Sequence, residues 1–287
     1  MFILKKRLRN TLQLLLLAIL LAGFSFMAAC DKNYFGIFLF VDLDERLKEA
    51  NNILKFVPDE KRSEFLNPVW GEDFSFIVLT DIHIKDGNAY GFEKLGGVIA
   101  NDSDIKFVVV LGDITQYGCY KDIQTFIQIA ETFGVPFYPV IGNHDIYYGD
   151  WSGWKSIIGS TRYRIDADKT TLFIIDSANM YFGNDQLNWL ERELKTAVGR
   201  VFVFTHANLF VETLTRPGQM TDLRERARIL SILQNRSDAM FMGHSHVQVQ
   251  REAGGVQYIS INEFKGTQTY CRIVVRKSGI SYHFEKL

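Results

Sequence analysis

A layered α/β fold is predicted by two patterns in the sequence. Short, continuous apolar runs recur between Phe74 and Phe204 in alternation with helical stretches, and after Phe241 only strand and turn signals remain. Apolar runs of this length suit strands buried on both faces, because both of their side-chain rows then meet apolar layers. In order, the runs are Phe74 to Leu79, Lys106 to Leu111, Pro136 to Ile141, Leu172 to Ile175 and Val201 to Phe204, and Ala239 to Met242 reads as a further strand after them. Two intervening helices are well marked. One, from Asp185 to Lys195, sets Leu187, Leu190 and Leu194 on one face; the other, Thr221 to Gln234, has Thr221 as a candidate N-cap. Both are expected to cover a sheet. The runs Val247 to Arg251, Val256 to Ile261, Tyr270 to Val275 and Ser281 to Phe284 read as consecutive antiparallel strands.

Ahead of this pattern, Asp44 to Val57 reads as an amphipathic helix stopped by Pro58. It lies in a stretch without strong strand signals that is either a stalk or a packed lead-in. No internal repeat interrupts the rest. The chain therefore divides into a signal segment at 1–29, a lead-in at 30–73 and one folded domain at 74–287.

With 287 residues, 47% of them hydrophobic, the chain can bury a substantial core. A formal net charge of -1 leaves no basic excess for gripping a nucleic-acid backbone, so composition shows no strong sign of nucleic-acid binding. Lys5, Lys6, Arg7 and Arg9 precede an apolar run from Leu12 to Ala29, the order expected of a secretory signal. The run ends in Met27, Ala28, Ala29 and Cys30, which resembles the bacterial lipoprotein processing box, with Met27 departing from the usual leucine. That resemblance implies a lipidated Cys30 as the mature N-terminus, and Asp31 resembles the signal that retains some lipoproteins at the inner membrane. The alternative is an uncleaved signal anchor, since about 18 apolar residues can span a bilayer. Either arrangement puts the domain outside the cytoplasm at a membrane. If Cys30 is lipidated, Cys119 and Cys271 are the remaining thiols, and neither has metal-ligand spacing to another cysteine.

The chemistry sits where the runs end. Asp81 and His83 follow the first run, Asp113 the second, and Asn143, His144 and Asp145 the third; His206 follows Val201 to Phe204, and His244 and His246 follow Ala239 to Met242. Sites in α/β sheets collect at the carboxyl ends of strands, so residues far apart in sequence can converge there. Carboxylate, imidazole and amide donors without thiolate suit Mn, Fe or Zn, and a shared carboxylate can hold two ions about 3.5 to 4 Å apart. Five of the six histidines belong to this set, and the sixth, His283, reads as an ordinary strand residue.

In their order, Asp81-Ile82-His83, Gly112-Asp113, Gly142-Asn143-His144-Asp145, His206 and Gly243-His244-Ser245-His246 resemble the five motifs of the calcineurin-like metallophosphoesterase superfamily. The resemblance spans roughly residues 74 to 260, and its specificity lies in the combination. It implies an α/β/β/α architecture, with two sheets packed face to face and flanked by helices. It also implies one metal ion held by Asp81, His83, Asp113 and His246, and a second held by Asp113, Asn143, His206 and His244. His144 matches the position that contacts the phosphoryl group or protonates the leaving oxygen, and Asp145 the one that orients it. The implied nucleophile is a hydroxide bridging the metals, with no phosphoenzyme. One departure is visible: many members place a proline soon after the fourth-motif histidine, where this chain has Ala207 and Asn208.

The stretch from Tyr163 to Asp176, followed by Asp185 to Leu190, resembles the branch containing cyclic-nucleotide phosphodiesterases and related phosphatases. The expected activity is hydrolysis of phosphodiesters or phosphomonoesters, on a phosphorylated small molecule or lipid. A lipid pyrophosphatase or phospholipase-like hydrolase is one alternative, and a non-catalytic scaffold on the same fold another. Arg216 could steady a phosphate, Leu209 to Val211 could face an acyl chain, and Trp151, Trp154, Tyr117 and Tyr120 could line a cleft. For each of these, a solvated or packing role is the competing reading.

Overall fold

The computed structural model describes residues 42–210 and 222–287. The signal segment with Cys30 and Asp31, and the loop residues Val211, Arg216 and Thr221, lie outside the described residues. Among those described, the strands are β1 (Phe74–Leu79), β2 (Ile105–Leu111), β3 (Phe137–Val140), β4 (Tyr163–Asp166), β5 (Thr170–Ile174), β6 (Arg200–Phe204), β7 (Ala239–Met242), β8 (Val249–Ala253), β9 (Val256–Ser260), β10 (Thr269–Arg276) and β11 (Gly279–Lys286). They form a five-stranded sheet, ordered β11-β10-β1-β2-β3, and a six-stranded sheet, ordered β4-β5-β6-β7-β9-β8. Strands β1, β2 and β3 are parallel, as are β5, β6, β7 and β9, with antiparallel strands at the edges.

The helices are α1 (Leu43–Leu47), α2 (Arg62–Leu66), α3 (Leu95–Ala100), α4 (Tyr120–Glu131), α5 (Ser152–Ile157), α6 (Asn184–Glu193), α7 (Leu223–Leu233) and α8 (Phe264–Thr267). The two sheets pack face to face through aromatic side chains, with the Phe76 ring 5.2 Å from Phe202, 6.2 Å from Phe204 and 6.0 Å from Phe241. A second core lies beyond the six-stranded sheet, where Leu187 and Leu190 of α6 and Ile229, Ile232 and Leu233 of α7 cover Phe173, Val203 and Met240. On the far side of the other sheet, Ile123, Phe126, Ile127 and Ala130 of α4 are buried. Strand β1, inside its sheet, is thus covered on both faces and is buried at every residue.

Three expectations are corrected. Among themselves, the strands after Phe241 are antiparallel only within the pairs β8–β9 and β10–β11; β9 runs parallel to β7, and β10 joins the other sheet antiparallel to β1. Residues 261–268 make that crossing, and Phe264 is buried on the way. The lead-in helix is much shorter than Asp44 to Val57. It stops at Leu47, and Leu54 has a left-handed backbone (φ 49°) that no continuing helix tolerates. Helix α7 is capped not by Thr221 but by Asp222, whose carboxylate accepts the amides of Arg224 and Glu225. The lead-in is packed rather than free: Leu54, Val57, Phe65 and Trp70 belong to the main core, and Trp70 stacks on Phe107 at 4.3 Å. Cys119 and Cys271 are unpaired, the first exposed and the second buried in β10.

Candidate metal centre

The loops that leave β1, β2, β3, β6 and β7 are laced together by backbone hydrogen bonds. Asp81 N–H donates to the Gly112 carbonyl at 3.1 Å, His83 N–H to that of Asp113 at 2.9 Å, and Gly243 N–H to that of His206 at 2.9 Å. The backbone is left-handed at five of the seven proposed ligands: Asp81 (φ 57°), His83 (52°), Asp113 (49°), His244 (65°) and His246 (52°). Such conformations cost non-glycine residues of order 1–3 kcal/mol each, and they persist only where the surroundings impose them. The motif glycines explain how the loops come so close. A Cβ on Gly112, itself at φ 87°, would press on His206 Nδ1 at 2.7 Å, and one on Gly142 would overlap the Asp113 amide and carboxylate.

All seven residues converge. Asp81, His83 and His246 bring ligand atoms within 4.8 Å of one another, as do Asp113, His206 and His244, and as do His83, Asp113 and His144. Asp113 therefore lies between two groups. Its Oδ2 is 3.8 Å from His83 Nε2, and its Oδ1 is 3.4 Å from His206 Nε2. Asp81 Oδ1 lies 3.1 Å from His246 Nε2 and 3.7 Å from His83 Nε2. Asn143 joins the second group, its Oδ1 2.9 Å from His206 Nε2.

The outer nitrogens of these rings identify which atoms face inward. His206 Nδ1 donates to the Leu111 carbonyl at 2.7 Å, which leaves Nε2 as a lone pair in the neutral ring. That lone pair faces Asn143 Oδ1 and, at 3.2 Å, His244 Nδ1. Acceptors turned on one another repel unless a proton or a metal ion lies between them, and the donor set, N and O without thiolate, suits the metal ion. On His246, Nδ1 lies 3.0 Å from Glu263 Oε2 while Nε2 faces Asp81, the carboxylate-backed arrangement that orients a ligating imidazole. The residues fit two ions that share Asp113.

Electrostatics follow from this crowding. Burial works against ionised Asp81, but His246 and His83 outweigh it and hold the carboxyl well below the usual range. Asp113 is likewise lowered, its burial being overcome by His206 and His144. Burial would also lower His206, yet the Asp113 charge and hydrogen bond push it up to about 9. His244, buried beside that cationic ring, falls to about 4.

His144 is placed differently from the ligands. Its Nδ1 lies 2.9 Å from the Gln116 carbonyl and 3.2 Å from Gln116 Nε2, and its Nε2 faces Asp113 Oδ2 at 4.0 Å. Gln116, not Asp145, makes the side-chain and carbonyl contacts to the ring. Asp145 spends its oxygens on the amides of Ile114, Thr115 and Gly142 and on the Thr115 hydroxyl, bracing the loops after β2 and β3. Burial pushes its carboxyl up to about 6. Any influence of Asp145 on His144 runs through that backbone.

Several supporting residues carried no signal in the motifs. Asn208 is buried and donates to Ser245 Oγ at 2.6 Å and to Ser260 Oγ at 2.9 Å, bolting the His206 loop to the His244–His246 loop. Ser177 Oγ accepts from Thr205 Oγ1 and from Ala207 N–H, each at 2.7 Å, on either side of His206. Other expectations resolve as packing. Trp151 and Trp154 are buried in the main core, Leu209 in the second core, and Phe210 packs on Tyr258 at 5.3 Å. Tyr120 is exposed at the start of α4, and Tyr117 meets Tyr147 at 5.5 Å near the His144 ring. His283 is an exposed residue of β11.

Fold and donor set together define a two-sheet hydrolase with a pair of metal positions at the carboxyl ends of its strands. The sequence model described as Calcineurin-like phosphoesterase matches residues 74–248, and the chain belongs to that family. It is accordingly a metal-dependent phosphoester hydrolase. Over 194 residues, 62% of this chain and 70% of the relative, it is 25% identical to a Fibrobacter succinogenes protein named "Probable cyclic nucleotide phosphodiesterase". Its fold is similar to that of a dimetal phosphatase from Danio rerio, with a TM-score of 0.58 at 15% identity over 74% of this chain and 98% of the other. It is also similar to the purple acid phosphatase PPD1 of yellow lupin (Lupinus luteus) seeds, with a TM-score of 0.56 at 13% identity over 75% of this chain and 51% of the other.

Proposed function

We propose that this chain is a phosphodiesterase for small phosphodiesters, with phosphomonoesters as secondary substrates. The observation that carries this reading is Asp113, shared between the Asp81–His83–His246 and the Asn143–His206–His244 sides of one cluster with no ligand missing. The name of the Fibrobacter succinogenes relative supports a diester substrate. Asp81, His83, Asp113 and His246 would hold one ion, and Asp113, Asn143, His206 and His244 the other, with Mn, Fe or Zn as the metals that match these donors. Bound there, the ions supply an activated water and neutralise charge on the phosphoryl oxygens.

The chain's own groups do the rest. Tethered at Nδ1 by Gln116, His144 presents Nε2 beside Asp113, where it can contact a phosphoryl oxygen and hand a proton to the leaving alcohol. Burial lowers its proton affinity, and the negative charge of a bound phosphoester works in the opposite direction. A membrane-anchored, extracytoplasmic position belongs to the same reading, supported by the cationic and apolar order before Cys30. There the enzyme would meet extracellular nucleotides or lipid phosphoesters. Loss of labelled-palmitate incorporation in Cys30→Ser would support lipidation, and equal labelling of both forms would refute it.

The catalytic reading is tested with bis-p-nitrophenyl phosphate and p-nitrophenyl phosphate on protein reconstituted with Mn, Fe or Zn. The diester is expected to turn over faster. Asp113→Ala should abolish activity and metal loading together, whereas His144→Ala should lower kcat by about a hundredfold with the metal content intact. Failure on both esters with all three metals would overturn the reading.

A further inference from the structure

The short turn around α8 lies beyond residues 74–248, where the family match ends, yet it is fastened to the centre of the site. Phe264 N–H donates to the Thr80 carbonyl at 2.9 Å and Lys265 N–H to the Asp81 carbonyl at 3.1 Å, so this turn rides on the first ligand loop. Its Glu263 backs His246, as described. From the same turn, the Lys265 ammonium donates to Gln116 Oε1 at 3.2 Å, and Gln116 meets His144 Nδ1 with its carbonyl or, in the other tautomer of the ring, with Nε2. Lys265 Nζ also lies 5.0 Å from the centre of the Tyr90 ring. No carboxylate of the described residues comes within 4.0 Å of that ammonium, although the side chain is half-buried. A cation held by a neutral amide and an aromatic face, and joined through Gln116 to the histidine proposed to meet the leaving oxygen, is placed for an anion brought by substrate.

We propose that Lys265, steadied by Gln116 and Tyr90, determines specificity by binding a second anionic group, carboxylate or phosphate, carried on the leaving alcohol of the phosphoester. This rests on the phosphodiesterase reading and on His144 marking the leaving side. Gln116 gives the ammonium a neutral partner when such a group is absent, so esters with uncharged leaving groups are still accepted. An incoming carboxylate or phosphate would take a charge-assisted hydrogen bond in addition.

The test uses two diesters on metal-loaded, full-length protein: methyl 4-carboxyphenyl phosphate, whose leaving phenol is anionic, and methyl 4-carbamoylphenyl phosphate, whose leaving phenol is neutral. The measured quantity is the ratio of their kcat/KM values in wild type, Lys265→Met and Lys265→Arg. Lys265→Met keeps the apolar stem near Tyr90 and should lower the ratio about tenfold, mainly through KM of the carboxylate ester. Lys265→Arg should restore most of the ratio, which a merely structural role would not predict. Equal ratios in wild type and Lys265→Met would overturn the proposal while leaving the hydrolase reading intact. No turnover of either ester by the wild type, at any metal, would instead sink the phosphodiesterase reading and the role of Lys265 with it.

Discussion

His206 shows how much of this site is decided atom by atom. Its Nδ1 is committed to the Leu111 carbonyl, so metal and proton compete for the same nitrogen, Nε2. Without metal, Asp113 and its neighbours keep that proton up to about pH 9. The sign is clear: an ion must displace the proton, so metal affinity should rise as pH climbs toward 9 and level off above it. At neutral pH, loading the His206 side should release about one proton, read by calorimetric titration in two buffers of different ionisation enthalpy. A metal affinity that stays flat from about pH 6 to pH 9 would contradict this assignment. His244 adds little to the count, because its own affinity for a proton has fallen to about 4.

At the scale of elements, the loops matter more than the strands that deliver them. Asn208 stands two residues after His206, and its amide ties that loop to Ser245 between His244 and His246. Asn208→Ala should weaken metal binding on the His206 side by about 10- to 100-fold, as loss of an outer partner does elsewhere, while the Asp81 side holds its affinity. Stepwise metal titration would separate the two. Helix α1 offers a different case. Arg46 is fully buried and reaches Asp176 with Nε and Nη2, both at 2.8 Å, and Asn179 with Nη2 at 2.6 Å. Arg46→Ala would strand the Asp176 charge in the interior, and chemical denaturation should show a loss of about 3–5 kcal/mol. Arg46→Ala with Asp176→Asn should recover part of it. Both arrangements were invisible in sequence, because an asparagine after a histidine and an arginine in an amphipathic pattern have solvated readings that are far more common.

Across the whole molecule, the metals and the two-sheet core are thermodynamically linked. The centre is assembled from loops of both sheets, and the unfolded chain has no such cluster, so bound metal stabilises the native state by mass action. Ions present at a hundredfold excess over Kd should stabilise by about 2.7 kcal/mol, raising Tm, and a chelator should reverse this. The shift should vanish in Asp113→Ala. A metal-independent Tm in the wild type would argue against ligation by the native fold.

The layered class and the limits of β1 and β7 were legible in the residues alone, and the side chains that converge at the centre were all named there. Those features are local: a strand buried on both faces announces itself by a continuous apolar run, and ligands cluster beside glycines at the ends of such runs. Tertiary structure alone decided that β9 runs parallel to β7 while β10 crosses to the other sheet, since pairing partners are chosen by long-range packing and not by propensity. It also decided that Gln116 rather than Asp145 holds His144, that Glu263 backs His246, and that Lys265 stands beside the site. Those contacts join residues separated by as many as 149 positions, through side chains whose partners appear only once the two sheets have closed on each other.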